Sequence, residues 1–218
     1  MENLLTIWRG SGLLKLCMED LFKMFDIAEK MFSAAWDMVT GSGKVEDLYK
    51  IDRQLNELQI AIRRRVLEHL AINPAQDINA TFVLSILVID LERIGDYAKN
   101  LDEIANHCTG KECGLQFKAL EPLAVRVDEM FAATKKALVE SKSDLARKIM
   151  QDQASLAKQA DTFMDELIEN RKISSKEGIV AALMSRYLKR VSAHLKNVAS
   201  SVVNPYHRIG YRPKEMED

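Results

Sequence analysis

Apolar residues along this chain recur at steps of three and four rather than two. The clearest run is Leu84, Leu87, Leu91, Ile94, Ala98, Leu101, Ala105 and Cys108, an unbroken heptad seam. A second stripe is Leu48, Ile51, Leu55, Leu58 and Ile62, and a third is Ile179, Leu183, Tyr187, Val191, Leu195, Val198 and Val202. No useful length of sequence alternates with period two, so the pattern predicts helices and no strands. Breaks fall at Gly41-Ser42-Gly43, Asn73-Pro74, Thr109-Gly110 to Gly114, Ser141 to Ser143, Ser174-Ser175 and Asn204-Pro205. They predict helices over 12–40, 44–72, 77–108, 117–141, 143–171 and 175–203. Pro122 then lies in the first turns of the fourth helix, where a missing N–H costs least.

The chain repeats itself. LERIGDYAKNL, Leu91 to Leu101, aligns without gaps on LKRVSAHLKNV, Leu188 to Val198, at an offset of 97 residues. Leu, Arg, Lys and Asn coincide, and each segment lies on the third helix of its half. The expected fold is all-α: two tandem three-helix bundles related by internal duplication, the first spanning 1–112 and the second 113–218, with a C-terminal tail.

Composition narrows the class. Charged residues reach 29% with a net charge of only -1, so nothing draws the whole chain toward nucleic acid. The longest strongly apolar run, Phe82 to Ile89, is eight residues, far short of the roughly 20 that span a bilayer. The N-terminus lacks the basic start and cleavage site of a secretory signal. Cys17, Cys108 and Cys113 are an odd, sparse set that fits a reducing compartment rather than a disulfide framework. The chain is expected to be cytoplasmic, with no transmembrane segment.

Candidate chemistry concentrates in DLERIGDYAKN, Asp90 to Asn100. Glu92 and Asp96 are four residues apart and share a helix face, Asn100 continues the stripe and Glu103 borders it. On the second helix Asp52 and Asn56 have the same spacing. An antiparallel second helix would bring the two pairs together, and oxygen ligands suit magnesium, calcium, manganese or iron. The alternative is a solvated acidic face, with Arg93 pairing locally.

The string DLERIGDYAKN resembles the signature of the PhoU family of phosphate-uptake regulators, which carry it on the third helix of each three-helix bundle. The stretch DRQLNELQIAIRRRVLEHLAINPAQDINATFVL is similar to the family's second helix, its proline-containing turn and the entry to the third. The resemblance implies a regulatory or accessory role in phosphate uptake and signalling, without catalytic residues. Implied partners are a phosphate transporter or sodium–phosphate cotransporter, a sensor kinase, and a second copy in a homodimer. It also implies metal held by paired E/DxxxD motifs, here a divalent or iron cation at Asp52, Asn56, Glu92 and Asp96.

This chain departs from that pattern. Asn56 stands where a second acid is expected. In the second half Lys189 and Ala193 replace the acids of the motif; Asp152 is retained, but Leu156 occupies the approximate partner position. No metal is expected there, because an ammonium and two apolar groups supply no ligands. Two further readings stay open, a metal-dependent phosphohydrolase and a helical adaptor that has lost metal binding.

Other features read as structural. HCTGKEC, His107 to Cys113, lacks a fourth zinc ligand and is expected to be a loop. Arg63-Arg64-Arg65 reads as a solvated face or a contact for an anionic partner. Met18, Met24, Met31 and Met38 read as core and groove lining, while Trp8 and Trp36 either pack or anchor an interface. The tail from Pro205, with Tyr206, Ile209 and Tyr211, is expected to be non-helical and to dock on a bundle or a partner.

Overall fold

A computed structural model describes residues 12–41, 47–108 and 110–213. It contains α1 (Gly12–Thr40), α2 (Leu48–Ile72), α3 (Ile78–Ala105), α4 (Gly110–Glu140), α5 (Ser143–Glu169) and α6 (Ser175–Ser200), then a 3-10 turn, Tyr206–Arg208. No strand occurs among the described residues. The all-α duplicated architecture expected from the seams is borne out. Trp8 and the predicted first residues of the second helix, 44–46, lie outside the described residues.

Local signals set the helix ends. The Asp47 side chain accepts from Lys50 N at 3.0 Å and caps α2. Ser174 and Glu177 form a reciprocal capping box at the start of α6. Gly41, with φ of 72°, ends α1 in the left-handed region that glycine tolerates.

One boundary differs from expectation. The fourth helix starts at Gly110 rather than 117, so Pro122 lies well inside it. Gly110 and Gly114 read as a break, yet Cys113 and Phe117 are buried, and their packing outweighs the roughly 1 kcal/mol helical cost of a glycine. The cysteine expectation is also corrected. Cys108 and Cys113 form a disulfide, because the turn after α3 brings their Cα atoms to 5.9 Å.

Within each half the helices pack on one another, α1 with α2 and α3, and α4 and α5 with α6. The halves join through α3 against α6 and α1 against α4, leaving α2 and α5 on the outside. Phe25 and Phe32 of α1 meet Phe131 of α4 at ring distances of 5.8 and 5.5 Å. Met18, Met24 and Met31 are buried, while Met38 and Trp36 pack at the edge of the core.

The predicted seam of α3 is buried from Leu84 to Leu101. That of α6 is shifted at its start: Ile179 is exposed, and the buried stripe begins at Val180, Met184 and Leu188 before rejoining Val191, Leu195 and Val198. Because α6 contacts α3, α4 and α5, its buried face is broad and includes Ser185, Ser192 and Ser200.

Gly95, inside LERIGD, marks the closest approach of helices. A Cβ there would lie 2.6 Å from Leu55 Cδ2 and 3.4 Å from Met31 Sδ. The missing side chain lets α2 and α1 come close to α3, and so sets the distance at which acids on α2 and α3 face one another.

Candidate functional site

The groove between α2 and α3 brings the four sequence-predicted residues to one place. Asp52 is buried, while Asn56, Glu92 and Asp96 are half-buried. The groove also holds Lys99, three residues after Asp96. Its Nζ lies 3.0 Å from Asp52 Oδ2 and 3.1 Å from Asp96 Oδ1, so one ammonium ties the two helices together. The Tyr49 ring lies 5.8 Å from this ammonium, and the Tyr49 hydroxyl donates to Glu103 at the border of the stripe.

The other groups arrange themselves around that ammonium. Asn56 Nδ2 donates to Asp52 Oδ2 at 3.0 Å, offering an N–H rather than an oxygen. Burial would lower the Lys99 ammonium, but its hydrogen bonds to Asp52 and Asp96 win and hold it above its ordinary range. Glu92 is left over. Burial first, then the Asp96 and Asp52 charges, push its carboxyl up, and its nearest cation, Arg93 Nε, lies 3.9 Å away. Asp52 Oδ1 is buried without a hydrogen-bond partner.

As placed, these residues do not fit a bound metal ion. A lysine ammonium sits at the point where a cation would bridge Asp52 and Asp96. Among the described residues no three His, Cys, Asp or Glu side chains gather closely enough to hold a metal.

In the second half Lys189 Nζ lies 2.5 and 2.7 Å from the two oxygens of Asp161 on α5. The spacing on the fifth helix places Asp152 and Leu156 at the approximate partner position. Instead Asp152 is exposed, with its carbonyl accepting from Arg126 of α4, and Leu156 is fully buried in the core. The α5 face that meets Lys189 therefore lies further along the helix.

A second polar cluster, missed in the sequence, lies where α3 meets α6. Asp90 is 5% exposed, and its Oδ1 lies 2.7 Å from His194 Nδ1 and 3.0 Å from Asn197 Nδ2. Arg190 Nε donates to the Tyr97 hydroxyl at 3.1 Å. Lys196 donates to the Gly210 carbonyl at 2.7 Å, and burial lowers its ammonium despite the nearby Asp90 charge. No short-range pattern pairs Asp90 with His194; only the packing of the halves does.

The tail docks on this joint. Tyr206 meets Phe82 of α3 at a ring distance of 5.1 Å, and Gly210 N donates to Ser200 Oγ at 2.7 Å. Of the arginine run, Arg65 bonds Asp20 of α1, which also accepts from Lys23. Burial would raise the Asp20 carboxyl, but these two hydrogen bonds hold it below the ordinary carboxylate range. Arg63 and Arg64 are exposed beside Ile60 and Leu67.

The PhoU domain model matches residues 21–105 and 120–202, one match in each half. The chain is 28% identical over 193 residues to the phosphate-specific transport system accessory protein PhoU homolog of Pseudomonas aeruginosa, covering 84% of this chain and 79% of the relative. It is 22% identical over 192 residues to the protein of the same name in Clostridium acetobutylicum, covering 84% and 88%. The crystal structure of PhoU from Pseudomonas aeruginosa superposes with a TM-score of 0.78 at 24% identity, over 88% of this chain and 95% of that one, a likeness of fold. The resemblance carried by DLERIGDYAKN is borne out, and the chain belongs to the PhoU domain family.

Proposed function

We propose that this protein is a non-catalytic regulatory accessory of phosphate uptake, acting in the cytoplasm by binding a phosphate transporter or its sensor. The observation that carries the reading is the presence of both PhoU repeats, in a chain spanning most of the length of relatives named as phosphate-specific transport accessories. No described helix is long and apolar enough to cross a membrane, which accords with action from one side of it.

The outer face of α2 supports a contact role. Ile60 and Leu67 are 56% and 69% exposed and stand seven residues apart on one helix face, with Arg63 and Arg64 between them. Such a stripe fits a partner surface that is acidic around an apolar centre. A metal-dependent phosphohydrolase would need an open cation site; here Lys99 stands in that place.

The test is deletion of the gene in its host, with phosphate uptake and a phosphate-starvation reporter followed at high external phosphate. The expected result is misregulated uptake, restored by the native chain but not by an R63E/R64E variant with unchanged helicity. Unchanged uptake and reporter in the deletion strain would refute the role.

A further inference from the structure

We infer that the Lys99 ammonium is the resident cation of the first repeat, and that Asp52, Glu92 and Asp96 hold no metal ion while it is in place. The geometry is that of a bridge: Nζ is 3.0 Å from an oxygen on α2 and 3.1 Å from one on α3. The Lys99 side chain is 15% exposed and that of Asp52 10%, while that of Asp96 is 36% exposed, so it is the Lys99–Asp52 half of the bridge that water screens little. A metal ion in the same place would face a positive charge at contact distance.

The neighbours are arranged for an ammonium. Asn56 turns its NH2 to Asp52, which favours the ionised carboxylate that the ammonium pairs with and presents an N–H where a metal would need an oxygen. The second repeat also has a lysine–aspartate pair between these two helices, Lys189 of α6 with Asp161 of α5, although it is exposed and lies at the position of Glu92, while Lys196, the counterpart of Lys99, donates to the Gly210 carbonyl. In the first repeat the lysine of the third helix supplies the positive charge to the aspartate of the second.

The first repeat nevertheless retains acids that the ammonium does not satisfy. Asp52 Oδ1 is buried without a partner, and Glu92 is the third carboxylate beside it. Taking the ammonium away leaves carboxylates that repel one another, and a divalent cation can then draw them together and neutralise them.

The test is equilibrium dialysis against Mn2+ of the native chain, a D52N/D96N variant, K99M and K99Q. The native chain is expected to bind no more Mn2+ than D52N/D96N. K99M is expected to bind about 10- to 1,000-fold more tightly than native, the effect of one to three pK units that a charge at this range exerts on a neighbour. K99Q keeps a polar head and serves if K99M does not fold. Stoichiometric Mn2+ on the native chain, lost in D52N/D96N, would overturn the inference. So would folded Lys99 variants whose Mn2+ binding is no tighter than native.

Discussion

Tyr97 of α3 stacks on His194 of α6 with ring centroids 5.7 Å apart and planes inclined by 28°. The two residues are counterparts: 97 positions separate them, the offset that aligns the repeats. The same offset carries Asp90 onto Tyr187, and both mates make the corresponding contact, Asp90 with His194 and Tyr187 with Tyr97. The joint between the bundles is thus a pseudo-two-fold, with a polar pair on one side and an aromatic pair on the other.

Asp90 is the acceptor on which the polar side of this joint depends. Its loss in D90A leaves His194 and Asn197 facing a buried void without their shared oxygen. The expected cost is about 2–3 kcal/mol, measured by urea unfolding, with Y187F changing stability much less.

The α2–α3 bridge gives an alkaline signature. The Lys99 ammonium is raised in the folded state, so its contribution is full below the unfolded lysine value, about 10.4, and is lost as pH rises through the higher folded value. K99M is expected to lie about 2 kcal/mol below native at pH 7, and the gap is expected to close above pH ~10.5. Thermal unfolding of both proteins from pH 6 to 11.5 checks it.

Glu92 has the opposite effect. Its carboxyl is raised by burial and by Asp96 and Asp52, so it costs stability once ionised. E92Q is expected to be more stable than native at pH 7 by about 0.2–0.5 kcal/mol, the scale of a like-charge pair one turn apart. The gain is expected to vanish as pH falls below the unfolded glutamate value, about 4.3, where both states are protonated.

The thiols offer a chemical check. Cys17 is buried and its pKa is raised to about 11, chiefly by that burial, so it is expected to be unreactive at pH 8. With Cys108 and Cys113 paired, a thiol reagent is expected to find one group after denaturation and all three cysteines only after reduction as well. Closing so short a loop stabilises the chain by about 2 kcal/mol, so the oxidised protein is expected to unfold at higher urea than the reduced one.

Gly95 tests the spacing on which the groove depends. G95A introduces a Cβ 2.6 Å from Leu55 Cδ2, and Leu55 is fully buried and has little room to move. Overpacking costs ~1–3 kcal/mol against a helix-propensity gain of ~1, so a net loss of about 1 kcal/mol is expected, and a larger one for G95V.

Much of the fold was legible because α3 carries its seam from Leu84 to Leu101 without interruption. The start of α4 was not, since Gly110 and Gly114 look like a break until Cys113 and Phe117 are seen in the core. The first three seam positions of α6, Ile179, Leu183 and Tyr187, fall one residue before the buried stripe because the helix serves three neighbours. In the groove Asp52, Asn56, Glu92 and Asp96 were found by spacing, and Lys99 stood in the same string, but only the position of α2 makes it a bridge rather than a solvated lysine. Asp161 and the Asp90–His194 pair carry no local signal, because their partners are distant in sequence and only packing joins them.

The most direct measurement is anomalous diffraction at the manganese edge from crystals of the native chain grown in Mn2+. The expected map shows the Lys99 ammonium between Asp52 and Asp96, with no anomalous peak in that groove. A peak about 2–2.5 Å from both carboxylates, with Lys99 turned away, would contradict it.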